Sequence, residues 1–328
     1  MMIILAADIG GTNSRFSLFS AENGKTLPCG SIVISSRVEN FAALLDKLFS
    51  CWPVEWLELN RANVVVFAAA GPVHDGRIEM TNAEFAVEEE QCRNFFPDAR
   101  ICLMNDFEAQ AWACLSPVFQ ESELLLASGK AGKDFEPTKP VVITGAGTGL
   151  GAAWLIPGEE KKAPLVLPSE AGHMAFPFDP CDEEERAFAA FLAGKEFLPT
   201  AGQVLSGSGL ARMHEFFTGQ AADPAHFTLA PGFTESDTCR LFARFYGRFC
   251  RMVTLSLLPQ AVVIVGGVAE KTPALVRHAE FSREFVRAAG AHGEFLRRVP
   301  VWLNRHPQSG LWGAACVGAM LAGPEAGR

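Results

Sequence analysis

The sequence predicts an α/β protein built from two units that begin in the same way. The first unit begins with the buried strand IILAAD at Ile3, a glycine turn and the strand-like runs RFSLFS and SIVISS. The second begins at Val141 with the strand VVIT, the turn GAGTG and the strand-like run LGAAWLIP. Helix-period segments follow each opening, and 328 residues are enough for two domains. The repeated opening indicates an internal duplication.

The composition is typical of a globular protein with a full core. Hydrophobic residues make up 49% of the chain and charged residues 20%. The formal net charge is -9, and no long basic run occurs. Such a surface would repel a polyanion, so the sequence argues against nucleic acid as a partner.

The cysteines and the N-terminus predict a cytoplasmic protein. The nine cysteines are scattered without a C-x-x-C pair, which is typical of reduced thiols rather than of a zinc or redox site. The start MMIILAADIGG lacks the basic region and cleavage site of a signal peptide. No apolar run reaches membrane-spanning length, so no membrane partner is expected.

Hydrophobic periodicity predicts the remaining elements. The predicted helices are 39–51, 87–96, 107–115, 183–193, 209–217, 235–257 and 311–321. Further strands are predicted at 64–70, 77–82, 101–106 and 261–268. The segment 117–140 looks irregular at its ends and contains a cluster of Ser, Gly, Lys and Pro, so the chain is expected to cross between units near Ser116. The last helix is expected to pack back on the first unit, which gives lobes of 1–116 plus 310–328 and of 117–309.

Two glycine turns are the first candidates for chemistry. DIGGTN, from Asp8 to Asn13, ends a buried strand, where glycines allow the backbone to approach an anion and Thr12 and Asn13 supply side-chain donors. Asp8 could hold Mg²⁺, which prefers a few carboxylates with phosphate oxygens. A plain hairpin explains one such turn equally well. The second turn, Gly145 to Gly149, favours phosphate binding because the pattern recurs.

A dinucleotide site is the main rival interpretation of the second turn. Gly147, Gly149 and Ala152 match the spacing G-x-G-x-x-A. That motif requires a helix directly after the glycines, whereas this turn continues into the β-rich run AAWLIPG. The P-loop pattern is absent from the sequence.

Polar residues at strand ends give a second group of candidates. Asn105 and Asp106 end the strand ICLM, where open α/β sheets bind ligands, although Asp106 could simply cap the following helix. Glu170 and His173 add a carboxylate and an imidazole in the small-residue loop SEAGH. Gly266 and Gly267 end another buried strand. They would admit a nucleoside to close backbone contact or form a Gly-Gly hairpin.

The ordered set DIGGTN, LMNDF, GAGTGLG, PSEAGH, LSGSGL and VGGV resembles the bacterial glucokinase family over nearly the whole chain. The resemblance implies the two-lobed, actin-like ATPase fold, in which two ribonuclease H-like lobes flank a central cleft. It implies an ATP- and Mg²⁺-dependent kinase that phosphorylates the primary hydroxyl of a hexose, with glucose as the first expectation. Homodimers are common in this family. Related repressor-type kinases carry a cysteine-rich zinc motif where this chain has FPFDPCDEEE, which resembles the zinc-free branch.

The resemblance also assigns roles to individual residues. It implies that Asn105, Asp106, Glu170 and His173 hold sugar hydroxyls, with Asp106 as the catalytic base. It implies that the ATP phosphates lie against the two turns and that the nucleoside lies near the Gly-Gly pair. These cofactor-binding residues are Ala7, Asp8, Ile9, Gly10, Gly11, Thr12, Asn13, Gly145, Gly147, Thr148, Gly149, Gly266 and Gly267.

One position departs from the family pattern. Where the family has a sugar-binding glutamate shortly before V-L-S-G, this chain has Gly202. Either Gln203 or water replaces the carboxylate, or the substrate is not glucose. The alternatives are therefore a kinase of another sugar, or a sugar- or nucleotide-binding protein that has lost turnover.

Overall fold

The computed structural model describes residues 1–22, 25–53, 59–81, 83–127, 135, 137–158 and 163–321. The chain divides into two compact units, Met1–Phe119 with His306–Arg328, and Gln120–Arg305. The divisions fall at 119 and 306 rather than at the predicted 116 and 310. The end of the last predicted segment, 322–328, lies outside the described residues, as do 128–134 and 136 of the predicted irregular segment.

The first unit is built on a five-stranded sheet in the order β3-β2-β1-β4-β8. Strands β1, β2 and β3 are antiparallel neighbours, whereas β4 and β8 run parallel to β1. A second small sheet contains β5, β6 and β7. The strands are β1 (Met2–Ile9), β2 (Asn13–Glu22), β3 (Lys25–Ser35), β4 (Val64–Ala69), β5 (Val73–His74), β6 (Arg77–Glu79), β7 (Ala86–Glu88) and β8 (Arg100–Asn105).

The helices of the first unit are α1 (Phe41–Cys51), α2 (Glu89–Phe95), α3 (Asp106–Ala113) and α13 (Ser309–Leu321). Helix α1 begins at Phe41 because the Asn40 side chain accepts the Ala43 N–H, two residues after the predicted start. Helices α3 and α13 pack closely: a Cβ on Gly313 would lie 1.7 Å from the Ala109 carbonyl oxygen. The last helix therefore belongs to the first unit, as its apolar sequence predicts.

The second unit has a six-stranded sheet in the order β12-β11-β10-β13-β14-β9. Its first five strands repeat the arrangement of the first unit: β10, β11 and β12 are antiparallel neighbours, and β13 and β14 run parallel to β10. The predicted duplication is therefore confirmed. The strands are β9 (Glu123–Leu126), β10 (Val141–Ala146), β11 (Leu150–Ile156), β12 (Leu165–Ser169), β13 (Ala261–Val265) and β14 (Val301–Leu303).

Helices cover the second sheet and supply most of its core. They are α4 (Glu183–Gly194), α5 (Ala201–Val204), α6 (Gly207–Thr218), α7 (Pro224–Phe227), α8 (Asp237–Leu257), α9 (Gly267–Lys271), α10 (Ala274–Arg277), α11 (Ala279–Phe285) and α12 (Gly290–Arg298). Helix α8 is largely buried and carries three phenylalanines and the tyrosine of this chain, together with arginines that include the buried Arg248. Among the described helices, none is long and apolar enough to cross a membrane.

Two local predictions are corrected by the structure. Residues 87 and 88, the predicted start of a helix, belong to strand β7, because this strand pairs with β6, and α2 begins at Glu89. The Gly266–Gly267 pair does not form a hairpin. It joins strand β13 to helix α9, and the hairpin interpretation was wrong.

Candidate active site

The glycine turn of the first unit is a tight connection between β1 and β2. The Gly10 N–H donates to the Asn13 carbonyl oxygen at 3.2 Å, and a Cβ on Gly10 would lie 2.8 Å from that oxygen. Thr12 and Asn13 are exposed on this turn, and Gly11 is partly exposed. The turn therefore presents backbone and short polar side chains where β1 ends.

Asp8 lies one residue before the end of β1 and is half-buried. Its carboxylate is 3.6 Å from the Arg15 guanidinium on β2. Burial raises the pKa of Asp8, and the charge of Arg15 opposes that rise. A Cβ on Gly310, at the start of α13, would lie 3.5 Å from Asp8 Oδ2, and the adjacent Ser309 hydroxyl donates to Gln110 Oε1 at 2.7 Å. Asp8 therefore lies at the N-terminal end of α13, beside a polar pair.

Asn105, rather than Asp106, caps helix α3. Asn105 Oδ1 accepts the Phe107 N–H at 2.8 Å, and Glu108 accepts the Asn105 N–H at 2.9 Å, which completes a capping box. Asn105 Nδ2 also donates to the Gly71 carbonyl oxygen at 3.0 Å. The idea that Asp106 merely caps the helix is therefore wrong, although Asp106 Oδ1 also accepts from Phe107 N at 3.0 Å.

The parallel strands bring these polar groups to one edge of the first sheet. Ile9 pairs with Ala69, and Ala69 pairs with Asn105, so the ends of β1 and β8 lie level on either side of β4. They are separated by two strand spacings, about 10 Å. The glycine turn, Asp8 and Asp106 therefore share the carboxyl edge of this sheet.

The second glycine turn connects β10 to β11 and leaves two glycines facing open space. Gly147 N–H donates to the Gly149 carbonyl oxygen at 2.7 Å. No described atom lies within 4 Å of a Cβ built on Gly147 or Gly149, whereas a Cβ on Gly145 would lie 2.2 Å from the Val265 carbonyl oxygen. A strand rather than a helix follows the turn, so the dinucleotide fingerprint lacks its structural context here.

Position 266 requires a glycine, because of its backbone conformation and its close packing. Its φ is +92°, and a Cβ there would lie 2.7 Å from the Ala146 carbonyl oxygen. Gly267 has no described atom within 4 Å of the same position. The second unit therefore packs Gly266 against the end of β10 and leaves the next residue open at the start of α9.

Glu170 and His173 lie together on an exposed loop of the second unit. His173 Nε2 is 3.7 Å from Glu170 Oε2, and their side chains are 76% and 60% exposed. Residues Ala171–His173 form a 3₁₀ turn. Gly172 is pressed against β11, since a Cβ there would lie 1.9 Å from the Leu150 carbonyl oxygen. Because Leu150 directly follows Gly149, this contact sets the loop beside the second glycine turn.

Gly202 faces the same loop. A Cβ on Gly202 would lie 3.2 Å from the Gly172 carbonyl oxygen and 3.6 Å from Leu150 N. A side chain at position 202 would thus start towards the Glu170–His173 loop. The Oε1 of the neighbouring Gln203 accepts a hydrogen bond from Arg212 Nη2 at 2.7 Å, so this oxygen already has a partner within the protein.

Comparison with known proteins identifies the family. A family model described as Glucokinase matches residues 5–320. The glucokinase of Photorhabdus laumondii is 30% identical over 94% of this chain and 95% of its own length. The chain belongs to the glucokinase family. The family predicted from the sequence is confirmed.

Solved structures support the same fold for this glucokinase-family chain. A glucokinase from Balamuthia mandrillaris in complex with glucose has a TM-score of 0.77 and 18% identity, covering 97% of this chain and 94% of that one. A ROK family glucokinase from Streptomyces griseus in complex with glucose and AMPPNP has a TM-score of 0.63 and 18% identity, covering 96% and 98%. The actin-like fold class is confirmed, and the chain is a sugar kinase by family.

Tyr246 was not predicted from the sequence, although its hydroxyl binds the backbone of the strand residue directly before the second glycine turn. The Ala146 N–H donates to Tyr246 Oη at 3.1 Å, and Tyr246 on α8 is fully buried. Burial raises the pKa of its phenol well above the usual value, so the group stays neutral. Tyr246 is the only tyrosine of the chain, but an isolated aromatic in a Phe-rich helix gives no sign of this contact.

Replacing Tyr246 with Phe should weaken ATP more than the sugar. The change leaves the Ala146 N–H buried without this acceptor, at a cost of about 1–3 kcal/mol, and loosens the turn that follows it. The KM for each substrate, measured against wild type, checks the expectation. Thr254→Val is the matched control, because it removes a buried hydroxyl on the same helix whose hydrogen bond, among the described residues, is to the Cys250 carbonyl oxygen of α8 itself. Equal changes for ATP and sugar in Tyr246→Phe would contradict a role in positioning the turn.

Proposed function

We propose that this protein transfers the γ-phosphoryl group of ATP to the primary hydroxyl of a hexose, with glucose as the preferred substrate. The observation that carries the proposal is the contact between Gly172 and Leu150. It holds the Glu170–His173 loop, rich in hydroxyl-binding groups, directly beside a glycine turn that is open on one face. Family membership and the glucose and AMPPNP complexes of the solved glucokinases support the same ligands.

Asp106 is the proposed catalytic base. It lies at the carboxyl edge of the first sheet, and Asn105 already supplies the helix cap. A carboxylate there would accept the proton of the primary hydroxyl as the oxygen attacks phosphorus. Glu170 and His173 would bind further hydroxyls. Asn105 would contribute through the amide hydrogen and lone pair that remain after its bonds to Gly71 and Phe107.

The two glycine turns are the proposed phosphate sites, and Gly266 with Gly267 the proposed nucleoside contact. Backbone N–H groups in such turns bind phosphate oxygens without a lysine. Gly147, Gly149 and Gly267 have room for a ligand, whereas Gly10, Gly145 and Gly266 are needed for close backbone packing. In this proposal the first three glycines contact the nucleotide, and the other three shape the turns.

Asp8 fits the requirements of a magnesium site. It is a half-buried carboxylate at a strand end beside the proposed phosphate turn, and Mg²⁺ commonly combines one or two carboxylates with phosphate oxygens and water. Ala7 and Ile9 would hold Asp8 in place through the β1 ladder. The ion would neutralise developing charge on the phosphates when bound.

We further propose a cytoplasmic enzyme, since all nine cysteines are free, and a homodimer, which the family resemblance implies.

A kinase of another sugar is the second candidate, and Gly202 favours it. The space beside the Glu170–His173 loop is larger than in a chain with glutamate at this position. A sugar with a bulkier substituent would use that space. A binding protein without turnover is the third candidate, and Asp106 at the sheet edge argues against it.

ADP release measured over a panel of hexoses tests the proposal. Glucose should give sugar-dependent ADP at the highest kcat/KM, and 6-deoxyglucose should give none because it lacks the accepting hydroxyl. Mannose, fructose and N-acetylglucosamine distinguish the second candidate. Binding of ATP and sugar with no ADP from any sugar would support the third.

Replacing Gly202 with Glu should lower the KM for glucose without changing the KM for ATP. A carboxylate aimed at the loop restores a charge-assisted hydrogen bond, about 1.5–3 kcal/mol or at least tenfold in affinity. Gly202→Ala is the control, since it adds the Cβ beside the Gly172 oxygen but no carboxylate. A mutant that loses the preferred sugar of the wild type and gains no glucose affinity would show that the natural substrate occupies this space.

A further inference from the structure

The segment Met174–Asp179 directly follows the Glu170–His173 loop and has little regular structure of its own. On one side it is bonded to the chain that leads into α5. The Phe176 N–H donates to the Pro199 carbonyl oxygen at 2.8 Å, and the Ala201 N–H donates to the Met174 carbonyl oxygen at 2.8 Å. These bonds connect the segment to the neighbourhood of Gly202.

The other side of the segment meets a buried charge cluster. Arg248 on α8 forms two hydrogen bonds to Glu185 on α4, at 2.6 and 2.7 Å, and a third to Glu284 on α11 at 3.0 Å. The three residues are only 4%, 1% and 4% exposed. Glu284 also pairs with Arg251 at 3.0 Å, so it has a second cation.

Arg248 and Glu185 each form one further hydrogen bond, to the backbone of the segment. Arg248 Nη1 donates to the Pro177 carbonyl oxygen at 2.9 Å, and Glu185 Oε2 accepts the Asp179 N–H at 2.7 Å. A buried ion pair rarely stabilises a fold more than apolar side chains of the same size would. An apolar pair could not, however, bond a carbonyl and an N–H two residues apart. The distinctive contribution of the cluster is therefore to fix this backbone.

We infer that Arg248 and Glu185 are positioning residues for sugar binding. They hold Pro177 and Asp179, and through the short segment before them they fix where Glu170 and His173 stand. The inference rests on the proposed sugar-binding role of that loop. It assigns neither residue a contact with substrate. It predicts a loss confined to the sugar, because the second glycine turn is supported separately by Tyr246.

The test compares two double variants that remove an ion pair between the same two helices. Glu185→Met with Arg248→Met removes the pair that bonds the segment. Glu184→Met with Arg240→Met removes a second α4–α8 pair, which has no bond to residues 174–179 among the contacts described here. Neither change leaves a carboxylate of its pair facing an empty site, and Glu284 retains Arg251.

The first double variant should raise the KM for glucose by about 10- to 100-fold, as expected when remote binding groups are displaced, while the KM for ATP stays at the wild-type value. The second should leave both constants unchanged. Equal KM values for glucose in the two variants, or a parallel rise for ATP and glucose in the first, would overturn the inference.

Arg248→Lys keeps the test decisive if the first double variant does not fold. Lysine preserves a buried cation but lacks the planar fork that reaches two carboxylates and Pro177 at once. It should raise the KM for glucose in the same direction by a smaller factor, and an unchanged KM would contradict the inference. A wild-type protein that phosphorylates no hexose would instead refute the proposed function, so the two failures are distinguishable.

Discussion

Replacing Asp106 with Ala is expected to lower kcat by about 100- to 10,000-fold, the usual contribution of a general base. The protein should remain folded, because Asn105 and Glu108 form the capping box of α3 without Asp106. Steady-state kinetics with glucose and ATP, alongside thermal unfolding of both proteins, check the two halves of this expectation.

Asp106→Asn is the matched control for that experiment. It keeps the size and polarity of the side chain but cannot accept the proton, so it should be nearly as slow as the alanine variant. Near-normal turnover in either variant would show that Asp106 is not the catalytic base and has only a structural role in the first turn of α3. If a slow variant also has a strongly lowered melting temperature, the loss of turnover has a structural cause, and the unfolding data detect this case.

Replacing Arg248 alone with Met is expected to destabilise the second unit by about 3–5 kcal/mol, the usual cost of removing one partner of a buried ion pair. Glu185 would then be buried without its two strong hydrogen bonds. The double variant Glu185→Met with Arg248→Met should recover most of this loss, because no lone charge remains. Urea unfolding followed by tryptophan fluorescence measures the three free energies.

Arg240→Met provides the contrast for this prediction. Arg240 is 27% exposed and its partners Glu184 and Asp237 are accessible to water, so the loss should be about 0–1 kcal/mol. A similar loss in the Arg240 and Arg248 variants would mean that burial of the Arg248 cluster has no special effect. An Arg248 variant as stable as wild type would contradict the predicted cost directly.

The sequence carried enough information for the fold and for the glycine turns. Strand-turn-strand openings at Ile3 and Val141 arise from local patterns, and the repeated pattern implied the duplicated sheets. The continuation AAWLIPG was sufficient to predict a strand after the second turn. The predicted bounds of helix α1 and the last helix agree with the structure to within two residues, because Asn40 caps α1 locally and the last helix is a continuous apolar run.

Contacts between distant parts of the chain could not be read from the sequence. Tyr246 and Ala146 are 100 residues apart, and Arg248 and Glu185 are 63 apart. Neither pair has a motif, since an arginine on a helix usually lies at the surface. The sequence also could not show that Asn105 rather than Asp106 caps helix α3, because both residue types cap helices equally well. Only the hydrogen bonds distinguish them.

Phosphorus NMR of the reaction mixture tests the central claim most directly. With wild-type protein, Mg²⁺, ATP and glucose, the γ-phosphate signal should be replaced in equal amount by a phosphate monoester coupled to two protons, as expected for an ester at the primary carbon of glucose. Wild-type protein given 6-deoxyglucose should form no ester. Inorganic phosphate as the main product with glucose present, or no loss of the γ-phosphate with any hexose, would contradict a sugar kinase of this kind.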